Sequence, residues 1–250
     1  MIFIDRREME RIDGRASVAL RPMEIITNYL IHPDGSALVR MGNTWVVCTA
    51  TVEHGVPAWL RGQGKGWITA EYDMLPTAGG GRSVRDRLKG FPSGRSSEIG
   101  RLVGRALRAV TDLVKLGDNT VWIDCDVLQA DGGTRTASVN GGLVALNLAL
   151  KRMREEGNLK VIPLKDYVGA VSCALVAGEL LLDVDYEEDS KASAEFNVVA
   201  TSRGEIVDFQ GSGEGACFDR KQMDSALQLA LSGIRQINQI QLKAIGLELK

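Results

Sequence analysis

Two short segments of this sequence hold the side chains best suited to chemistry, and the first is a glycine-rich turn. It reads ADGGTRTAS at residues 130–138, between a strand-like apolar segment at residues 121–128 and a helical pattern at about residues 136–155. Free backbone N–H groups and the positive end of a helix dipole favour an anion at such a junction. Gly132 and Gly133 allow close approach of the backbone, and Arg135 can bind an anion through two parallel hydrogen bonds.

This turn differs from the phosphate loop of nucleotide-binding proteins, because the pattern G-x-x-x-x-G-K-S/T is absent. A Gly-Gly turn followed by arginine also occurs where nothing is bound. The turn alone therefore leaves two alternatives, an anion site and an ordinary connection.

The second segment is the acidic run DVDYEED at residues 183–189. A calcium loop of the EF-hand type is excluded, because its sixth and twelfth positions would be Glu188 and Ala194 instead of Gly and Glu. Magnesium remains suitable, since it takes one or two carboxylates and keeps several waters. At ~3.3 Å per residue, an extended chain would separate Asp183 from Asp189 by about 20 Å, so one shared site requires a turn shortly after Tyr186. The alternative is an acidic strand end that faces water.

Basic residues are concentrated between these segments and the N-terminal third. They are Arg82, Arg85, Arg87, Lys89, Arg95, Arg101, Arg105 and Arg108. Residues 77–97 lack apolar periodicity, which predicts a long exposed loop. A helix is predicted next, because apolar residues from Ile99 to Leu113 keep helical spacing. Its arginines would share one face, which a solvated charged face explains equally well.

Composition excludes several classes of protein. With 250 residues, 44% hydrophobic and 25% charged, the chain is typical of a soluble globular protein, and its net charge of −2 argues against a generally basic nucleic-acid coat. No apolar run approaches the roughly 20 residues of a membrane span, and the N-terminus lacks a signal-peptide pattern. We therefore expect no membrane partner and a cytoplasmic location. Four scattered cysteines without C-x-x-C pairing predict buried free thiols: Cys48, Cys125, Cys173 and Cys217.

Hydrolase and dinucleotide motifs are also missing. The sequence contains no G-x-S-x-G elbow, no H-E-x-x-H helix and no G-x-G-x-x-G after a strand, and His32 and His54 have no evident partners. An anion pocket, many arginines and a carboxylate group remain. That combination suits phosphoryl chemistry on a polyanion, where catalysis is mostly positioning and charge neutralisation.

The element pattern predicts one α+β domain. Strands are expected at residues 36–40, 44–50, 67–72, 168–176, 180–186, 197–202 and 205–210. A final helix is predicted to open at Asp219, with Gln222 in capping-box spacing. Because strands are grouped and no linker is evident, helices should pack against sheets within a single domain.

Several long motifs, in order, resemble the bacterial ribonuclease PH family. They are DGR at 13–15, LRP at 20–22, GKGWITAEYDMLP at 64–76, GRSSEI at 94–99, RLVGR at 101–105, DCDVLQADGGTRTAS at 124–138 and LLDVDYEEDS at 181–190. The resemblance implies mixed and antiparallel sheets with packed helices around a ribosomal-protein-like β-α-β core. It also implies a phosphate-dependent 3′–5′ exoribonuclease that trims precursor tRNA and releases nucleoside diphosphates, the reverse reaction adding nucleotides to RNA 3′ ends.

The resemblance also assigns roles to residues. Arg95 with Gly133, Thr134 and Arg135 would bind the attacking phosphate. Catalysis and Mg²⁺ binding would fall to Asp183 and Asp189, with Asp189 as general acid. The loop arginines would hold the RNA backbone without reading its sequence: Arg82, Arg85 and Arg87. The family's assembly, a homohexamer built as a trimer of dimers, is expected by resemblance alone.

This sequence departs from the family pattern at three places. Thr77-Ala78-Gly79 stands where a base followed by Ala-Thr is usual, Glu195 stands where aspartate is common, and residues 1–12 form an N-terminal extension before the domain at residues 13–250. Two rival functions share parts of the pattern. One is an inert RNA-binding subunit, and the other is a metal-dependent nuclease that uses water instead of phosphate.

Overall fold

The computed structural model describes residues 11–85, 88, 90 and 93–246, and there the chain forms two β-sheets with helices packed between and outside them. The strands are β1 (Met23–Thr27), β2 (Gly35–Met41), β3 (Thr44–His54), β4 (Trp67–Met74), β5 (Asn119–Gln129), β6 (Val168–Val176), β7 (Glu179–Leu182), β8 (Ala194–Thr201) and β9 (Ile206–Gly213). The α-helices are α1 (Gly94–Ala109), α2 (Leu113–Leu116), α3 (Thr134–Glu155), α4 (Tyr186–Asp189) and α5 (Arg220–Ala244). A 3₁₀ turn occupies Ala58–Leu60.

The first sheet has the order β1-β2-β3-β5-β4. Its pairs are antiparallel except β4 with β5, which run parallel and are joined by a crossover that contains α1. The second sheet, β7-β6-β8-β9, is antiparallel throughout. These mixed and antiparallel sheets, with a β4–α1–β5 unit, confirm the predicted α+β class.

Helix α3 lies between the two sheets, because it packs against β2, β3 and β5 of the first sheet and β6 of the second. Small and apolar side chains fill its length, including Ala137, Gly141, Leu146 and Ala149. Helix α1 covers β4, and α5 covers β6. None of the helices in the described part of the chain combines the length and apolar character needed to cross a bilayer.

Several local predictions hold in the structure. Strand β6 has the predicted bounds, and α5 begins with the predicted capping box, in which Asp219 and Gln222 bond each other's backbone N–H groups. Buried thiols are confirmed for Cys48, Cys125 and Cys173.

Other local predictions are wrong. The helix expected to reach Leu113 ends at Ala109, and Leu113 opens α2, which Asp112 caps. The strand expected over residues 180–186 ends at Leu182, because Asp183 adopts a left-handed φ of 52° and turns the chain. Helix α1 starts at Gly94, inside the predicted loop, where Ser93 caps it. Cys217 is exposed.

Gly35 provides a test of the packing between β2 and α3. A Cβ atom at this position would contact the carbonyl oxygen of Ala145 and lie 2.7 Å from the backbone nitrogen of Ala149. Gly35→Ala should therefore lower the free energy of unfolding by about 1–3 kcal/mol. Urea denaturation measures this, with Gly80→Ala as control, since nothing lies within 4 Å of a Cβ there. Equal midpoints for the two variants would contradict the close approach.

Candidate anion-binding and catalytic site

The turn between β5 and α3 presents an open helix N-terminus. Gly133 is the N-cap of α3 with a left-handed φ of 66°, and no side chain caps the helix. Gly132 is also left-handed, at φ 72°, and a Cβ there would lie 2.6 Å from the carbonyl oxygen of Val184. Both glycines are therefore required by backbone conformation, and Gly132 also by the lack of space. The N–H groups of the first helical turn are left to an external acceptor.

Two side chains hold this turn from behind. The Thr44 hydroxyl donates to the carbonyl of Gly132 at 2.6 Å and accepts from the N–H of Asp131 at 2.9 Å. The Arg21 guanidinium donates to the carbonyls of Asp131 and Gly132. The turn is thus fixed by bonds to its own backbone.

Thr134, the first residue of α3, faces Tyr72 of β4. The buried Tyr72 hydroxyl donates to Thr134 Oγ1 at 2.9 Å, which leaves the threonine proton free to donate elsewhere. Burial raises the pKa of Tyr72, while Thr134 and the Arg95 charge act in the opposite direction. The Arg95 side chain also hydrogen-bonds Tyr72, so it lies near Thr134, although the residue is exposed in the first turn of α1.

Arg135 is mostly buried and oriented by polar partners. Its Nη1 donates to Gln210 Oε1 at 2.7 Å and to Glu98 Oε1 at 3.2 Å. Gln210 belongs to β9 and Glu98 to α1, so side chains from two other elements hold this guanidinium of α3. No pattern in the sequence predicted this role of Gln210.

Asp189 lies at the end of α4, close to both arginines. Its pKa is raised to about 6, first by burial and then by the Glu195 carboxylate, against the charges of Arg95 and Arg135, which lower it. Glu195, Arg95 and Arg135 are therefore close enough to Asp189 for their charges to change its pKa. A carboxyl group with a pKa near 6 can carry a proton close to neutral pH.

Asp183 lies elsewhere, in the interior. It is 0% exposed, and Arg21 occupies both its oxygens, through the side chain at Oδ1 and the backbone N–H at Oδ2, each at 2.7 Å. The predicted turn in the acidic run does occur, but at Asp183 itself. The structure thus brings Asp189, and not the Asp183 carboxylate, to the arginines.

Two of the three loop arginines lie within the described residues. Arg82 and Arg85 are exposed, and the Arg85 charge acts on Asp126 of β5. Arg87 lies outside the described residues. On α1, Arg105 pairs with Asp208, and Arg108 donates to the Ile68 carbonyl at 2.7 Å.

A cavity of about 1030 Å³ runs along β4 and β5 beside α1. Four carboxylates line it: Glu71, Asp73, Asp124 and Asp126. Burial and then neighbouring carboxylates raise the pKa of Asp124 and of Asp126. Arg101 and Arg108 also line the cavity, so its wall carries charges of both signs.

The grouping of possible ligand side chains limits where a metal ion could bind. Within residues 11–85, 88, 90 and 93–246, no three His, Cys, Asp or Glu side chains are grouped so that they could hold an ion. The Asp189–Glu195 pair supplies two carboxylates beside the anion site, which fits a magnesium ion that keeps most of its waters. The Asp183 carboxylate is buried and bonded through both oxygens to Arg21, so it is not open to such an ion.

Sequence models of the 3′ exoribonuclease family match both parts of the chain. The model of domain 1 matches residues 19–151, and that of domain 2 matches residues 166–233. The chain is therefore a member of the 3′ exoribonuclease family.

Similar proteins of known name identify the family within this class. Ribonuclease PH of Bacillus pumilus (strain SAFR-032) is 51% identical over 94% of this chain and 98% of its own length. Ribonuclease PH of Bacillus cereus (strain B4264) is 50% identical over 94% and 97%. The chain belongs to the bacterial ribonuclease PH family, and it is a phosphorolytic enzyme of the nucleotidyltransferase type.

Solved structures agree with this assignment. The Archaeoglobus fulgidus exosome with RNA bound to its active site matches with a TM-score of 0.77 and 28% identity, over 93% of this chain and 92% of that one. An archaeal exosome core matches with a TM-score of 0.75 and 26% identity, over 93% and 91%.

The charge balance around Asp189 yields a measurable prediction. Glu195→Gln removes a like charge, so the pKa of Asp189 should fall from about 6 towards the ordinary 3.8. NMR titration of ¹³C-labelled aspartate in metal-free protein measures it. Glu205→Gln is the control, because Glu205 pairs with Arg203 instead. An unchanged pKa in Glu195→Gln would show that burial alone is responsible.

Proposed function

We propose that this enzyme trims the 3′ ends of precursor tRNA with inorganic phosphate as nucleophile. The observation that carries the proposal is the uncapped N-terminus of α3, flanked by Thr134, Arg135 and Arg95, with a protonatable Asp189 beside it. A helix N-terminus and two guanidinium groups suit a small dianion.

The proposed reaction is an in-line displacement. An oxygen of phosphate attacks phosphorus in the last phosphodiester bond, the bond to the 3′ oxygen of the preceding nucleotide breaks, and a nucleoside diphosphate leaves. Because nucleophile and diester are both anionic, their repulsion must be offset by fixed positive groups. Arg95 and Arg135 supply those charges, and Thr134 donates its hydroxyl proton to the phosphate.

The two carboxylates near the phosphate share the remaining work. The raised pKa of Asp189, about 6, allows this carboxyl group to carry a proton near neutral pH. Asp189 then protonates the departing 3′ oxygen. The Glu195 side chain would help to hold Mg²⁺, which when bound neutralises phosphate charge.

RNA binding is assigned to the exposed loop. Arg82 and Arg85 face solvent, and together with Arg87 they suit contact with phosphates of the RNA backbone. In the Archaeoglobus fulgidus relative, RNA occupies the active site. A homohexamer, arranged as a trimer of dimers in the cytoplasm, is part of the proposal and follows from the family.

The product of RNA degradation tests the proposal. RNA is incubated with Mg²⁺, with and without phosphate, and the released nucleotides are identified by chromatography. We expect nucleoside diphosphates that appear only when phosphate is present. Nucleoside monophosphates would indicate a hydrolytic nuclease, and RNA binding without product would indicate an inert subunit.

A pair of substitutions separates phosphate binding from RNA binding. Arg135→Ala should lower kcat/KM for phosphate by about 100-fold and leave the Kd for RNA nearly unchanged, because its guanidinium acts on the nucleophile. Arg82→Ala should do the reverse, weakening RNA binding in a salt-dependent way. Steady-state kinetics and equilibrium binding measure both. Equal losses of activity and RNA affinity in Arg135→Ala would show that Arg135 holds RNA.

A further inference from the structure

We propose that Arg21 and Asp183 form a positioning pair that holds the phosphate-binding turn, and that Asp183 does this instead of binding metal. The inference rests on the proposed phosphate site. It starts from an observation independent of that site: a fully buried carboxylate whose partners come from one arginine.

The first half of the pair is the buried carboxylate. Asp183 Oδ1 accepts from Arg21 Nη2 and Oδ2 accepts from the Arg21 backbone N–H, both at 2.7 Å. The Arg15 guanidinium lies 3.9 Å from Oδ2. A cation at this carboxylate would lie beside a guanidinium whose side chain is only 3% exposed. Two positive charges buried next to each other repel strongly, which opposes metal binding here.

The second half is the contact of Arg21 with the turn. While Nη2 binds Asp183, Nη1 donates to the Asp131 carbonyl and Nη2 approaches the Gly132 carbonyl at 3.5 Å. A Cβ atom on Gly133 would lie 2.9 Å from the same Nη2. The guanidinium thus lies between the carboxylate and the last residues before α3.

This arrangement sets the direction in which the chain enters α3. A peptide carbonyl and the following N–H lie in one plane, so fixing the carbonyls of Asp131 and Gly132 fixes the N–H groups of Gly132 and of the N-cap Gly133, directly before the first helical turn. Asp183 locks the guanidinium that does the fixing. Outer partners of this kind orient a site without touching its ligand.

The backbone turn at Asp183 also supports a positioning role for this residue. Its φ of 52° is left-handed, a conformation that costs a non-glycine residue free energy. The surrounding bonds maintain it, because Arg11 and Arg15 both donate to the Asp183 carbonyl and its own N–H donates to Ser172. The carboxylate is thereby held towards Arg21.

The test compares Arg21→Lys and Asp183→Asn with the wild type. Arg21→Lys keeps the charge but cannot bridge carboxylate and carbonyls, and Asp183→Asn keeps the shape without the charge. We expect phosphate affinity to fall about tenfold or more in both, measured by calorimetry with inorganic phosphate and without RNA or Mg²⁺. The KM for phosphate should rise accordingly, while the Mg²⁺ concentration for half-maximal activity stays unchanged.

Asp166→Asn is the matched control. Asp166 is also a nearly buried carboxylate, bound to the side chain of Arg203 and to a backbone N–H, but its partners are outside the turn. It should bind phosphate as the wild type does.

Two results would overturn the inference. One is wild-type phosphate affinity in Arg21→Lys, the milder variant, which decides the matter if Asp183→Asn fails to fold. The other is a raised Mg²⁺ requirement in Asp183→Asn with phosphate affinity intact, which would make Asp183 a metal ligand. Failure of the wild-type protein itself to bind phosphate would instead contradict the proposed phosphate site.

Discussion

The position of the α3 N-terminus is the constraint on which the rest of the molecule depends. A helix dipole and a few N–H groups bind an anion well only if they do not move relative to the arginines around them. Helix α3 meets this condition because both sheets pack against it, with Gly35, Gly141 and Ala149 at the tightest approaches. Interiors packed this closely resist displacement, so the fold itself pre-organises the site.

A buried ion pair is the second feature that holds the site residues in place. Arg11 and Glu188 form a buried two-bond ion pair, with distances of 2.7 and 2.6 Å, and Glu188 also completes the capping box of α4. Removing one member of a buried pair costs about 3–5 kcal/mol, whereas the pair as a whole adds little net stability. The network is therefore better understood as fixing α4, and with it Asp189, relative to the end of β7, because Arg11 also donates to the carbonyls of Leu182 and Asp183.

Much of this fold could be predicted from the sequence, since long periodic segments such as β6 and α5 carry their signals locally. The anion turn was also predictable from Gly132 and Gly133. Tertiary partners carried no such signal: a carboxylate at residue 183 has the same pattern whether it faces water, a metal or Arg21. The role of Arg11, two residues before the predicted domain start at residue 13, was missed for this reason. The left-handed turn at Asp183 also shortened β7, against a strand-like sequence.

The ion pair between Arg11 and Glu188 can form only late in the synthesis of the chain, because its two members lie far apart in the sequence. At about 5–20 residues per second, the 177 positions between them take roughly 9 to 35 s to translate. In the later part of that interval, once Arg135 has been added, the nascent chain contains the glycine turn and both arginines of the site, but not the partner that anchors its N-terminal segment. The growing polypeptide thus acquires the residues proposed to bind phosphate first, and the ion pair that holds α4 only when most of the protein has been made.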